Sequence, residues 1–305
     1  MRKIALFIAI TFFISYLSAF VFFSISQIKY ATYIFAIGYM FIPMLATLFV
    51  QKLYRESVRE LGISFKPNRW WIVAWLLPAA IAFATLLISL LFPGVEYSPE
   101  MEGFFERLKD TLPPEAIEEM KKQIKIMPIH PILIGLIQGL IFGITINAIP
   151  AFGEEIGWRG FLQKELSYMN FWKSSVIIGV IWGIWHAPLI LQGHNYPQHP
   201  TAGVFMMTAW CILLSPIFSY VRLKAGSVIA AAIMHGSLNA TYNLSIVLVK
   251  GGNDLIIGLT GLAGFITLGI VNLLIVLHDK FIAKESVAEL IRKNKNDAED
   301  RDIHF

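Results

Sequence analysis

The sequence is poor in charge. Only 15% of its 305 residues are Asp, Glu, Lys or Arg, against roughly 25% in an ordinary soluble domain. It has one cysteine, Cys211, which excludes an intramolecular disulfide and any CxxC metal knuckle. In its apolar run that residue reads as a small hydrophobe. There is no His-Glu-x-x-His pair, the helical signature of zinc peptidases. No internal repeat and no second, soluble domain is found, and the paired broken helices of many transporters are missing. The net charge of +4 is modest, and nothing points to a nucleic-acid partner.

Apolar surface is abundant instead. The chain is 56% hydrophobic, with 23 Phe and 8 Trp, more than a water-soluble fold of this size buries. A spanning helix needs about 20 mainly apolar residues. Eight windows qualify: 4–28, 31–50, 70–92, 131–152, 174–191, 203–221, 227–249 and 254–277, none with an interior Lys or Arg. In hydrocarbon each backbone N–H and C=O must be satisfied within its own segment, and these windows are too long and too continuously apolar for barrel strands. The expected fold is all-α: a polytopic membrane protein of about eight transmembrane helices. The first window follows Arg2 and Lys3 but is too long for a signal-peptide core of roughly 7–15 residues, so it is expected to be retained.

Orientation follows from Lys and Arg, which favour the cytoplasmic side. With both termini in the cytoplasm, most of the 25 such residues fall inside. Among them are Lys52, Arg55, Arg59, Lys66, Arg69, Arg222, Lys224 and the tail. A multi-pass protein of the plasma membrane is expected, with Trp70 and Trp71 as part of an aromatic belt. The loop 93–130 then lies outside. Met101, Phe104, Phe105 and Leu108, and again Ile117, Met120, Ile124 and Met127, have helical spacing. They predict short amphipathic helices, lying on the bilayer or capping the bundle, as a spacer or as a substrate gate.

Ionisable residues at membrane depth are rare and default to a functional hypothesis. The leading cluster is Glu154, Glu155 and Arg159. Glu155 and Arg159 stand i, i+4, the preferred order for a helix ion pair. Glu154 lies about 100° round the helix and is free to take a proton; the cluster reads equally as an interfacial salt bridge. His186 lies inside the fifth window, four residues after Trp182. His235 and Asn239 are i, i+4 on the seventh. They could aim two donors at one point, as an oxyanion site requires, or act as polar glue between helices. Asn147 and Gln138 read as structural hydrogen bonders, and His194 and His199 as an exposed loop. His130, His278 and His304 suggest nothing specific. Together a carboxylate, two histidines and an asparagine suit addition of water to an amide carbonyl.

Glu154-Glu155-x-x-x-Arg159, Trp182 four residues before His186, and His235-x-x-x-Asn239 resemble the three ordered motifs of the CPBP family. That family holds the intramembrane CAAX-processing endopeptidases and bacteriocin-processing relatives. The likeness covers roughly 131–245; Trp182 stands where the family more often has Phe. The resemblance implies Glu154 as the base that activates water, His186 as its partner in holding that water, and His235 and Asn239 as oxyanion donors. Glu155 and Arg159, with Trp182, would support them. It implies a substrate that is a membrane-anchored or prenylated peptide or protein, such as a C-terminal Cys-a-a-X cut after the cysteine. No cofactor is expected to be required. Were zinc bound, Glu154, His186 and His235 would be its ligands, as in a His₂Glu site.

The chain is thus expected to divide into helices one to three with the acidic outer loop (1–130), a CAAX-protease-like core (131–245), a last transmembrane helix (246–278) and a charged cytoplasmic tail (279–305). Glu154, His186 and His235 meet only if the fourth helix runs past 152 to about Leu166, round a water-filled cavity open to the cytoplasm. The competing readings are a proton-coupled transporter with the same buried carboxylates as a relay, and a non-catalytic scaffold or immunity protein of the same fold.

Overall fold

The apolar windows fold as helices, and the ones that break are those that carry the polar residues. The computed structural model describes residues 1–25, 29–109 and 112–293, with backbone alone at 29–33. α1 (Arg2–Ile25) is followed by α2 (Lys29–Tyr39) and α3 (Ile42–Leu53), whose residues Ile34–Leu53 make one apolar span. α4 (Arg69–Ser89) starts at Asn68, whose side chain accepts from the Trp70 amide and so satisfies an orphan donor of the first turn. A two-residue strand β1 (Glu96–Tyr97), α5 (Glu102–Leu108) and α6 (Pro114–Ile126) lead to α7 (Pro131–Ile144) and α8 (Ala148–Glu155). A π-helical stretch, Ile156–Leu162, then runs into α9 (Gln163–Glu165). α10 (Phe171–Trp185), α11 (Ala187–Ile190), α12 (Pro200–Ala225), α13 (Val228–Thr241), β2 (Val249–Lys250) and α14 (Leu262–Phe281) complete the order.

The protein is an all-α, polytopic membrane protein. Among the described residues five helices are long and apolar enough to cross a bilayer, in the windows 4–28, 31–50, 70–92, 203–221 and 254–277. A sixth arises if α6 and α7, inclined at 98°, count as one bent span. The other three of the eight windows hold shorter helices. Window 131–152 breaks at 145–147 between α7 and α8. Window 174–191 stops α10 at His186. Window 227–249 ends α13 after 14 residues and continues as the 3-10 turn Tyr242–Ser245. As expected, the fourth helical path runs on past 152, to Glu165.

Close packing holds the broken helices together. α7, α10 and the path from α8 into the π-helical stretch each carry glycines four apart. A Cβ on Gly139 would lie 2.9 Å from Thr241, and one on Gly143 would lie 2.6 Å from Ser237 Cα. Cβ atoms on Gly153 and Gly157 would strike Met40 O and Pro43, and on Gly179 and Gly183 they would strike the α12 backbone at Cys211–Ile212 and Thr208. Small residues at i, i+4 let helix backbones approach without a hydrophobic driving force between them. On α13, a Cβ at Gly236 would stand 2.3 Å from Gly143 O. Cys211 is buried in the α10–α12 seam.

The two ends of the bundle differ. At one, Lys3 pairs with Glu56 and Glu165, and Lys164 with Glu56 and Glu60. At the other, β1 pairs antiparallel with β2. There the amphipathic segment caps the bundle: Met101, Phe105 and Ile117 bury against Leu86, Val95, Leu248 and Ile257. A cavity of about 890 Å³ enters the bundle from this capped end, its wall including Arg107, Asn195 and Asp254. In the orientation expected from the Lys and Arg bias, with both termini in the cytoplasm, this mouth would face away from the cytoplasm; the described residues of the loops 93–130, 192–199 and 246–261 lie at the end opposite Lys3. The tail expected at 279–305 falls, from 294 on and with His304, outside the described residues.

Two outcomes are expected. Gly236→Ala, forced against the Gly143 carbonyl, lowers stability by about 1–3 kcal/mol, read as a fall in Tm of the detergent-solubilised protein. Cysteines placed at Asn253 and at Lys164 react with a membrane-impermeant maleimide from opposite sides of the membrane; labelling of both from one side would contradict this end-to-end arrangement.

Candidate active site

The site begins with two adjacent carboxylates whose surroundings diverge. Glu154 and Glu155 are 2% and 0% exposed. Successive helical residues point about 100° apart, and here that difference selects different partners. Glu154 Oε2 accepts from two indoles: Trp182 Nε1 at 2.8 Å and Trp158 Nε1 at 3.3 Å. Both bonds on one oxygen leave Oε1 for water or a ligand. Glu155 Oε1 accepts from Arg159 Nη1 at 3.2 Å and lies 2.8 Å from His235 Nδ1. Arg159 is fully buried, its guanidinium carbon 4.4 Å from the Trp182 ring centroid and 4.8 Å from that of Phe218. Stacking on two aromatic faces suits a planar, weakly hydrated cation.

The histidines follow from their helices. His186 caps α10, where Pro188 starts the next short helix. Its Nδ1 lies 2.8 Å from the Trp182 carbonyl oxygen. A carbonyl only accepts, so Nδ1 carries the proton and Nε2 is free. By the same logic the Glu155 carboxylate fixes the proton of His235 on Nδ1 and leaves its Nε2 free. That Nε2 donates only in the imidazolium form, whereas the Asn239 amide donates when neutral. Trp182 joins the set: its ring centroid lies 5.8 Å from His186 and 5.6 Å from His235.

Glu154, His186, His235 and Asn239 all line the one cavity, as does Trp182. Glu155 and Arg159 stand behind them and are not part of its wall. Asn147 and Gln138 lie off it; His194 lines it, while His199 bonds Asp254 at 2.6 Å. His130 caps α7, and His278 bonds the Tyr220 hydroxyl. Three features were not read from the sequence. Trp158 carried a signal, four residues after Glu154. The Glu155–His235 bond carried none, since it joins residues 80 apart. Arg107, from the cap, enters the cavity wall through tertiary folding alone.

For the conditional zinc set of Glu154, His186 and His235, no three His, Cys, Asp or Glu side chains among the described residues are grouped to hold a metal. The arrangement instead presents an unshared carboxylate oxygen, two imidazole Nε2 atoms and a neutral amide donor to one space.

The described residues 118–241 match the family model described as Type II CAAX prenyl endopeptidase Rce1-like. A curated relative, CAAX prenyl protease 2 of Methanococcus maripaludis, is 25% identical over 182 residues, which are 56% of this chain and 55% of that protein. The chain spans about half the length of the curated relative it matches.

Glu155→Gln keeps the shape of the side chain but removes the charge between Arg159 and His235. Leaving a buried guanidinium without its partner costs about 3–5 kcal/mol. The expected outcome is a marked fall in Tm, larger than for Glu154→Gln, whose neutral amide still accepts from the two indoles. Equal Tm values for the two variants would refute this ranking.

Proposed function

From the match of residues 118–241 to the Rce1-like family of type II CAAX prenyl endopeptidases, we propose that the chain is a member of that family and an intramembrane endopeptidase. It hydrolyses a peptide bond of a membrane-associated substrate, a prenylated Cys-a-a-X C-terminus cut after the cysteine. The observation that carries this reading is Glu154: a buried carboxylate held on one oxygen by two neutral donors, its other oxygen beside a cavity shared with His186, His235 and Asn239.

The chemistry runs without a covalent intermediate. Glu154 takes a proton from a water that His186 Nε2 helps to orient, and the water oxygen adds to the scissile carbonyl carbon. The carbonyl oxygen becomes an oxyanion, met by the Asn239 amide and by His235 in its imidazolium form. Collapse breaks the C–N bond. Glu154 returns the proton to the leaving amine, which departs as the N-terminus of a tripeptide, while the cysteine gains a new carboxyl group. Glu155 and Arg159 hold His235 and α8 in place.

The test incubates purified protein with a farnesylated Cys-a-a-X peptide and its unprenylated counterpart, with and without chelator, and identifies the products by mass. Release of the tripeptide from the farnesylated form, unaffected by chelator, is expected. Glu154→Gln lowers kcat by about 10²–10⁴ or more while Tm stays within a few degrees. Asn239→Ala lowers kcat by about 10²–10³. Cleavage that survives Glu154→Gln would remove Glu154 from this role, and no cleavage of either peptide would remove the activity.

A further inference from the structure

The cap puts a positive charge into the cavity wall. Arg107, in the last turn of α5, is the sole Lys or Arg among the described residues that line the cavity. Its Nη2 donates to Ile246 O at 2.5 Å and Val249 O at 3.0 Å. Those two bonds fix the guanidinium plane and leave Nη1 and Nε as donors. Among the described residues Arg107 forms no ion pair, and burial pushes it below the ordinary arginine value. Three acids share this wall: Glu154 of the site, Glu106, which is next to Arg107 in the chain and acts on it by charge without an ion pair, and Asp254. Asp254 is engaged elsewhere: its Oδ2 accepts from the Gln198 amide at 2.7 Å, and its Oδ1 lies 2.6 Å from His199 Nδ1. A fixed cation with a spare N–H donor in a cavity attracts an anion, and a carboxylate accepts a charge-assisted hydrogen bond from a guanidinium.

Chain geometry sets how far this cation stands from the reacting groups. From Asn239 the backbone runs through the end of α13 and the 3-10 turn to Ile246. That rise is about 12 Å, at 1.5 and 2.0 Å per residue. Cutting after the cysteine of a Cys-a-a-X end leaves three residues beyond the scissile bond, an extended reach of about 10 Å at ~3.3 Å per residue.

Building on the function proposed above, we infer that Arg107 receives the C-terminal carboxylate of the substrate, so that the protein selects a free chain end rather than an internal peptide. The cap then measures the distance from the cut to the end. Nη2 stays on the Ile246 and Val249 carbonyls, and Nη1 donates to one carboxylate oxygen.

Binding tests this apart from cleavage. In full-length Glu154→Gln protein, the dissociation constants of two fluorescent farnesylated peptides are measured, identical except for a terminal carboxylate or carboxamide. The carboxylate form is expected to bind roughly ten-fold tighter or more, the range of charge-assisted hydrogen bonds. Adding Arg107→Gln, which keeps an N–H donor for the carbonyls but loses the charge, brings the two constants together; Arg107→Lys retains part of the preference. Equal binding of both forms by the parent overturns the inference, as does no binding of either. So does an equal weakening of both forms by Arg107→Gln, which would make Arg107 only a clamp on the cap. If Arg107→Gln fails to fold, the parent peptide pair and Arg107→Lys decide alone. A carboxylate preference in a protein that cuts nothing would leave this inference standing and defeat the proposed cleavage.

Discussion

Buried charge is the constraint that the rest of this structure answers to. Glu154, Glu155 and Arg159 lie on one helical path, and all three are buried. Lipid does not compensate them, and only Glu154 reaches the cavity, so the protein must compensate Glu155 and Arg159 itself. The compensation comes from three other helices. α10 supplies the Trp182 indole, α12 the Phe218 face and α13 the His235 imidazole. Folding α8 into the bundle therefore requires those helices in register, and the same register is what gathers the site. Trp182 shows the economy: one residue donates to Glu154, lies over Arg159 and has two imidazoles 5.8 and 5.6 Å from its ring, while its carbonyl orients that of His186.

The helix breaks belong to the same solution. Non-helical backbone at membrane depth is tolerated where protein or a cavity surrounds it. α7 and α8 separate at 145–147, α10 ends at His186, and α13 gives way to a 3-10 turn after Thr241. A π-helical stretch follows Glu155 directly, a feature that recurs at functional sites. Each break shortens a helix that would otherwise cross the membrane, and the freed space becomes the cavity. Gly139, Gly143, Gly153, Gly157, Gly179 and Gly183 make this tolerable, because shortened helices bury less side-chain surface and must approach backbone to backbone.

Much of this was legible in the sequence, for identifiable reasons. The long spans were readable because hydropathy is local: α1, α4, α12 and α14 fall where apolar windows predict them. That Glu154, His186, His235 and Asn239 line one cavity could be expected, because charges just past an apolar window and polar groups within one are rare. The amphipathic cap was readable from the spacing of Met101, Phe105 and Ile117. What could not be read was anything that depends on pairing across the chain. Hydropathy does not tell a 14-residue helix with an apolar turn from a full span, so eight windows were counted alike. Charge bias orients loops but does not say which end a cavity enters. The partner of His235 is Glu155, and no local pattern joins them. The Gly-x-x-x-Gly pairs were visible as letters, but their use as crossing points appears only when the facing backbones are placed.

The two adjacent glutamates divide their work by the charge of their partners. Glu155 faces a cation and an imidazole; a proton placed on it would break the bonds that hold Arg159 and α13, so it is suited to support. Glu154 faces two indole N–H groups, which are neutral and bond the same oxygen. Those donors fix its rotamer whether the other oxygen is bare or protonated. In the proposed mechanism Glu154 gains and loses a proton in each turnover; such a group needs neighbours that are indifferent to the change, and neutral donors on the far oxygen provide that. Separation by one residue on a helix is enough to give two identical side chains these opposite environments. The requirement falls on Trp158 and Trp182 as much as on Glu154, since a charged donor in either place would tie the base down as Arg159 ties Glu155.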